Sequence, residues 1–449
     1  MAKKQDVKKL LKAAQEPSKL ARKLHPFYRG KIEVVPKCRI KNFNDFSIWY
    51  SPGVAAVCTD IYKNPELVYE YTNKWNSVAV ISDGTRVLGL GDIGPEAGMP
   101  VMEGKALLYK YLGGVDAYPI CLDTKDEKKI IETVKILQPS FGGVNLEDIE
   151  QPKCFPILHT LRKECRIPVW HDDQQGTALV TLAGFINALK VVGKKIGKVK
   201  IAMIGAGSAN ICIARLLMLH GANPANIIMT DSKGTLHKGR TELKNTHPEK
   251  WEMAVETNAG NIQGYIKEAM ENADAVIALS TPGPDIIKKE WIKSMAKNPI
   301  VFVCANPVPE IWPWEAKEAG AAVVATGRSD FENQVNNSLG FPGVFRGVLD
   351  VRASTITDTM AITAATELAA CIADNKIKPN KIIPTMDNWE IYPKIAAAVG
   401  VKAIKEKVAA RKLSYDAIYS QAKDMIKRSR AVTETMMAKG YIKKVKSEK

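Results

Sequence analysis

The sequence contains no C-x-x-C pair and no Cys/His spacing of the kind that closes on zinc. Its eight cysteines, Cys38, Cys58, Cys121, Cys154, Cys165, Cys212, Cys304 and Cys371, are scattered, which excludes a zinc-finger or disulfide framework. Free thiols fit a reducing compartment, so an intracellular, cytoplasmic protein is expected. No apolar run approaches the ~18–20 residues of a membrane span, and no membrane partner is expected. The opening MAKKQDVKKLLKAAQ lacks the unbroken apolar stretch of a secretory signal. Repeats and low-complexity segments are absent.

Acidic residues are in the minority. Lys and Arg number 64 against 48 Asp and Glu, for a net charge of +16. Such an excess suits an anionic partner: small carboxylates, phosphates, nucleic acid or anionic lipid. Nucleic acid is set aside, because neither aromatic interleaving nor a base-reading motif accompanies the charge. Much of the excess is local. Residues 1–31 hold ten Lys/Arg against Asp6 and Glu16, and the chain ends in KKVKSEK. A solvated basic tail is the plain reading. An organelle-targeting helix is the alternative, and Asp6 and Glu16 count against it because transit peptides are poor in acids.

What is present is ordinary globular material. At ~150 residues per domain, 449 residues imply two or three domains. A chain of this length buries a core without disulfide or metal staples. SVAVIS (Ser77–Ser82) and VDAYPICL (Val115–Leu122) read as strands, and Glu103–Leu112 and Asp126–Leu137 as helices. Gly89–Pro100, rich in Gly and Pro, reads as a loop, and Gln138–Gly143 as a second loop leading into VNLEDI. From Gly176 the pattern changes. An apolar helix (Gly176–Val192) precedes strands at Val199–Gly205, Asn226–Asp231, Asp274–Leu279, Pro299–Ala305 and Ala321–Gly327. Buried strands alternating with helices imply a doubly wound parallel sheet. After Asp350, TITDTMAITAATELAACIA reads as one long helix, and the rest as helical and basic. The expected architecture is therefore α/β. A basic segment (1–30) precedes an α/β domain (31–175), a Rossmann-type domain (176–375) and a helical C-terminal extension (376–449).

The strand Ile201–Ile204 runs into Gly205-Ala206-Gly207-Ser208-Ala209-Asn210, and a helix follows. Gly205 permits a tight turn, and Gly207 lets a pyrophosphate approach the helix N-terminus. The third fingerprint position is Asn210, not Gly or Ala, which puts close helix–strand packing in doubt there. Asp231 ends the next strand, where an acid would hold a ribose 2′-OH and favour NAD. Ser232 and Lys233 follow at once, and a cation there would receive the 2′-phosphate of NADP. The cofactor choice stays open between NAD and NADP.

Three acidic patches lie near strand or helix ends: Asp92; Glu147 and Asp148; Asp172 and Asp173. Oxygen-only clusters suit Mg²⁺ or Mn²⁺. Taken singly, the pairs could as well favour or cap helix N-termini. His171 precedes the last pair and reads as a packed residue. Lys105 reads as standing at the start of a helix, where the dipole lowers its pKa toward that of a working base. A surface lysine is the plainer reading. Tyr50, before a Ser-Pro turn, reads as a core tyrosine. Asn306, directly after a strand, stands where doubly wound sheets bind ligands. Asn336 and Asn337 are paired amides able to bind a carboxylate.

Read together, YSPGVA (Tyr50–Ala55), Arg86–Tyr109, NLEDI (Asn145–Ile149), HDDQQGTA (His171–Ala178), GAGSA (Gly205–Ala209), ANPVPE (Ala305–Glu310) and Asn333–Gly347 resemble the malic enzymes of the shorter kind, over about residues 25 to 375. The resemblance implies a substrate domain joined to a Rossmann domain, a site in the cleft between them and a homodimer. It implies oxidative decarboxylation of malate to pyruvate with NAD or NADP and Mg²⁺ or Mn²⁺. It matches Tyr50 to the general acid, Lys105 to the general base and Asp172 to the carboxylate paired with it. It matches Glu147, Asp148 and Asp173 to metal ligands and Arg86, Asn306 and Asn337 to substrate-carboxylate contacts. Gly205, Gly207, Ser208, Ala209, Asp231 and Asn306 belong to the expected dinucleotide site. The alternative is a metal-independent dehydrogenase of an amino acid or hydroxy acid on the same two-domain plan.

Overall fold

Two sheets, of four and of six strands, organise the chain. The computed structural model describes residues 4–445, so the ends of both basic tails (1–3 and 446–449) lie outside the described residues. The chain opens with α1 (Lys4–Tyr28), α2 (Asp45–Trp49), α3 (Val54–Lys63) and α4 (Val68–Tyr71), none of the last three with a buried residue. Then come β1 (Ser77–Ser82), α5 (Pro95–Gly113), β2 (Asp116–Cys121), α6 (Glu127–Leu137), β3 (Gly143–Leu146), α7 (Cys154–Glu164) and β4 (Val169–His171). The strands pair in parallel in the order β2-β1-β3-β4. All six residues of β1 are buried, as a strand covered on both faces requires.

The loop expected over Gly89–Pro100 ends six residues early, because α5 begins at Pro95. Pro95 occupies the first helical position, where its missing N–H is not needed. Gly94 turns the chain into the helix at φ +82°. Gly98 and Met102 are buried, and this packing overrides the local Gly/Pro signal. Lys105 therefore lies in the third turn of α5, beyond the reach of the helix N-terminus.

The second half begins with α8 (Thr177–Val192), which continues a π-helical turn at Asp172–Gly176. Together they form a run of 21 residues that is long and apolar enough to cross a membrane. This corrects the expectation that no such run exists. Most of it is buried inside the protein, and Asn187 in its second half donates to the carbonyls of Ala369 and Ile382, as in a core helix. There follow β5 (Ile201–Ile204), α9 (Ser208–Leu219), β6 (Ile227–Asp231), the short β7 (Gly234–Thr235), α10 (Leu243–Thr246), α11 (Pro248–Glu256), α12 (Ile266–Met270), β8 (Ala275–Ala278), α13 (Lys289–Lys293), β9 (Ile300–Val303), α14 (Pro313–Glu318) and β10 (Val323–Thr326). The sheet order is β10-β9-β8-β5-β6-β7, parallel except for β7. From β5 the chain goes first to β6 on one side and later to β8 on the other. That switch opens a crevice at the carboxyl end of β5.

The last helices are α15 (Phe341–Asp350), α16 (Asp358–Ala370), α17 (Ile391–Lys405) and α18 (Tyr415–Ala438). α16 starts where Thr357 caps the amide of Met360, three residues later than the run of helix formers begins. α18 lies against α5, with Ser429 Oγ donating to the carbonyl of Lys110 at 2.7 Å. Buried Arg346 and Asp350 pair at 2.6 Å, and Gln421 of α18 donates to the same carboxylate. The C-terminal helices are thus tied to the first domain.

Candidate functional site

The carboxyl ends of β3 and β4 carry the acids. Glu147 and Asp148 follow β3, and Asp172 and Asp173 follow β4. Lys105 reaches them from α5. Its Nζ lies 2.5 Å from Asp172 Oδ2 and 2.8 Å from Glu147 Oε1, and 4.3 Å from the centre of the Phe341 ring. Lys105 is buried. Burial by itself opposes its charge, but Asp172 and Glu147 outweigh it and raise the lysine above its ordinary pKa. The expected lowering by a helix dipole is therefore reversed in sign, because the group has two carboxylate partners and is far from the helix start.

The acids repel one another. Burial first, then Asp173 and the other carboxylates, push Glu147 well above the ordinary range despite Lys105. Burial and Asp173 push Asp148 up to about 8. Asp148 adopts φ +55°, uncommon for a side-chain-bearing residue but tolerated by Asp. Its amide donates to Asp173 Oδ2 at 2.8 Å, and its own Oδ2 is buried without a partner. Three mutually repelling carboxylates, one with an orphaned oxygen, fit a hard divalent cation. Among the described residues no trio of His, Cys, Asp or Glu is already drawn up around an ion position. Glu147 is turned instead to Lys105 and to Asn145, whose Nδ2 donates to its Oε2 at 2.8 Å.

Around this cluster stand residues that the sequence reading left without a role. Trp170 donates to Asp172 Oδ1 at 2.9 Å, and Tyr109 donates to Asn145 Oδ1 at 2.8 Å, so both carboxylates beside Lys105 are oriented from behind. Gly176 has to be glycine, since a Cβ there would lie 1.9 Å from Asp172 Oδ1. The π turn over Asp172–Gly176 places Asp172 inward and Asp173 toward the cleft, a use typical of π segments. His171 is buried with its Nδ1 3.5 Å from Asp173, and burial lowers its pKa. Tyr109 and Asn145 were legible as members of quoted strings; the role of Gly176 was not, because it depends on a contact made only in three dimensions.

The residues expected to contact substrate lie on this side. The backbone N–H of Arg86 donates to Asp148 O at 2.9 Å, with its side chain exposed. Gly89 of the same loop abuts the carbonyl of Asn306, which joins the two domains at the cleft. Asn337 lies beside Gly176. Asp92 stands apart, paired with Lys125 at 2.5 Å on the surface. Tyr50 also stands apart. It is 74% exposed, follows α2 and makes no side-chain hydrogen bond among the described residues. The expectation of a core tyrosine is corrected.

The glycine turn sits in the crevice beside β5. Gly205 has φ +93°, and a Cβ there would meet the Leu279 carbonyl at 2.6 Å. Gly207 faces open space, and Ser208 and Ala209 open α9 next to it. Asn210 resolves the doubt about the third position. Its Nδ2 donates to the carbonyls of Ile204 and Gly205 at 2.9 and 2.7 Å, so helix and strand are joined by hydrogen bonds. Glu310 ties the neighbouring loops, accepting from the Ser280 and Ala305 amides. Asp231 lies at the end of β6 with its carboxylate engaged by Arg240 and Lys250. The turn at Asp172–Gly176 packs on α9, which sets acid cluster and nucleotide crevice side by side.

A buried lysine between carboxylates, set against a dinucleotide crevice, defines a nucleotide-dependent oxidoreductase of two α/β domains. Residues 29–162 match the malic enzyme N-terminal domain and residues 174–406 the malic enzyme NAD binding domain, and the chain belongs to the malic enzyme family. It is 50% identical over 386 residues to the bifunctional malic/malolactic enzyme of Bacillus subtilis (86% of this chain, 93% of the relative). It is 48% identical over 380 residues to the NAD-dependent malic enzyme of Geobacillus stearothermophilus (85% and 78%), and further relatives are named NADP-dependent malic enzymes. The crystal structure of Entamoeba histolytica malic enzyme superposes with a TM-score of 0.94 at 51% identity, covering 96% of this chain and 91% of that one.

Proposed function

We propose that the chain oxidises and decarboxylates malate to pyruvate and CO₂ with NAD or NADP and a divalent cation. The observation that carries this reading is Lys105 clamped between Asp172 and Glu147, with the turn that carries Asp172 packed on α9, the helix after the glycine turn. Arg86, Asn306 and Asn337 hold the substrate carboxylates across the cleft. Lys105 takes the C2 hydroxyl proton as the C2 hydride leaves, and Asp172 keeps its amine in position. Before it can do so the lysine has to release its own proton. Asp172 and Glu147 both favour the ammonium, so loosening either contact would ease that release to solvent. Glu147, Asp148 and Asp173 would hold a divalent cation, which would supply Lewis-acid polarisation of the substrate. A dinucleotide on Gly205, Gly207, Ser208 and Ala209 supplies the hydride acceptor. The C4 carboxylate departs as CO₂, and the electron pair left at C3 takes a proton from Tyr50. Malate oxidation with Mn²⁺, followed by CO₂ release in parallel with NAD and NADP, tests this. EDTA is expected to abolish turnover and Mn²⁺ or Mg²⁺ to restore it. Turnover undiminished in chelator and without CO₂ would select the metal-independent dehydrogenase.

We propose in addition a homodimer in which Tyr50 serves the site of the partner subunit. Lys37 pairs with Asp116, the first residue of β2, at 3.4 Å and lies over Trp75, just before β1. The arm carrying α2 and α3 is therefore moored at the amino ends of the first sheet, whereas Lys105 works at the carboxyl ends. Val34, Phe43 and Tyr62 on this arm are 83%, 89% and 88% exposed. An apolar surface of this extent supports a covered interface. Mixing Tyr50→Phe and Lys105→Ala chains under dissociating conditions, then reassociating them, tests the arrangement. If Tyr50 acts across the interface, each heterodimer regains one complete site, about a quarter of all sites at random pairing. No recovery would place Tyr50 within its own subunit. The division near residue 175 and a cytoplasmic location remain parts of this proposal, the latter supported by eight unpaired cysteines.

A further inference from the structure

The dinucleotide crevice holds a second cluster, at the carboxyl end of β6. Asp231 is nearly buried and both its oxygens are in use. Oδ1 accepts from Arg240 Nη1 at 2.7 Å and from the Lys233 amide at 2.9 Å. Oδ2 accepts from Arg240 Nη2 and from Lys250 Nζ, each at 3.3 Å. Burial would raise this carboxyl, but Arg240, the Lys233 amide and Lys250 overcome it and hold the group below its ordinary range. Arg240 also donates from Nε to Glu242 at 2.8 Å. Two cations, Arg240 and Lys250, thus meet Asp231, Arg240 also engages Glu242, and the charge of Lys233 bears on Glu242 and His247 from the same side. His247, whose Nδ1 is buried without a partner, begins α11 next to Lys250.

A carboxylate that reads a ribose has to be free to accept from both hydroxyls. Asp231 is not free, and a planar guanidinium is the side chain best shaped for a phosphate. We propose that this chain selects NADP over NAD, through a 2′-phosphate pocket formed by Arg240, Lys250 and Lys233 around an Asp231 that is already engaged. Asp231 is then a positioning residue that fixes Arg240. The proposal rests on the reading of Gly205–Ala209 as a dinucleotide site, which itself fits because Gly207 leaves the helix N-terminus open.

The test is equilibrium binding to the full-length chain, by calorimetry without malate or metal, using NADP⁺, NAD⁺, 2′,5′-ADP and 5′-AMP. NADP⁺ is expected to bind about tenfold or more tighter than NAD⁺, and 2′,5′-ADP tighter than 5′-AMP by a similar factor. Arg240→Gln is expected to weaken NADP⁺ and 2′,5′-ADP by about 10–100-fold and to leave NAD⁺ within about threefold. Lys250→Gln, a milder change at a partly exposed site, is expected to move the same ratio in the same direction. The preference for NADP⁺ is also expected to shrink with added salt, since it is ionic. Equal or tighter binding of NAD⁺, or variants that weaken both dinucleotides alike, would overturn the pocket and leave the dinucleotide site standing. Failure of every probe to bind the unmodified chain would overturn both.

Discussion

Lys105 and Tyr50 are the two proton-transfer residues of the proposed reaction, and their surroundings are opposite. Lys105 is buried, hydrogen-bonded on two sides and backed by Phe341. Tyr50 stands in solvent on an arm whose helices bury nothing. A buried charged group has to be fully partnered within the fold, since desolvation without partners costs several kcal/mol. An aromatic hydroxyl in solvent has no such requirement, so its setting can be completed by assembly. The contrast teaches that folding alone completes the surroundings of Lys105, whereas it leaves those of Tyr50 open to solvent, where the proposed dimer would complete them.

The largest effect is expected on the folded half. Lys105→Ala removes the base and leaves Asp172 and Glu147 uncompensated, and malate oxidation is expected to fall ~10²–10⁴-fold. Small amines in the assay are expected to restore part of it. Decarboxylation of added oxaloacetate needs no hydride transfer and is expected to survive better. If both reactions fall together, the lysine holds the site together and does not move a proton. Tyr50→Phe comes next. Steady-state pyruvate release should slow while malate affinity is kept, and a wild-type rate in that variant would remove Tyr50 from the reaction.

Gly176→Ala probes how the folded half is positioned. The added methyl group has to displace Asp172, and such overpacking costs about 1–3 kcal/mol. Denaturant midpoints measure the stability lost, and malate turnover is expected to drop further than that loss explains. The corresponding probe in the nucleotide crevice is Asp231→Ala. From the sequence, loss of this acid should weaken NAD more than NADP. With the carboxylate holding Arg240 instead, the larger loss is now expected for NADP, and the ratio of the two dissociation constants decides between them.

The smallest effect concerns Glu310, pushed by burial from its ordinary 4.5 up to about 7 although two amides donate to it. The folded chain then holds this proton more tightly than the unfolded chain does. Its contribution to stability is full below about pH 4.5 and declines as the pH rises to about 7. Glu310→Gln removes that decline, so the stability difference from the unmodified chain is expected to change between about pH 4.5 and about pH 7 in chemical denaturation. A difference that stays constant with pH would mean that Glu310 is ionised throughout.

Strands and helices with strong periodicity were legible in the sequence, as were the glycine turn after Ile204 and the acids at strand ends, because apolar spacing and local turn chemistry act over a few residues. The start of α5 was not, since Gly and Pro signal a loop wherever packing does not overrule them. The two membership questions at β6 and α9 also escaped. Asn210 substitutes hydrogen bonds for close packing, and Asp231 finds cations nine and nineteen residues along the chain. By itself the sequence determined which residue types are available for the chemistry and which run of strands carries them. Tertiary structure alone decided that Lys105 keeps its proton between two carboxylates, that Gly176 has no room for a side chain and that Tyr50 stands exposed. Each of these depends on atoms brought together from distant parts of the chain, and desolvation, charge coupling and steric exclusion act only once those atoms are in place.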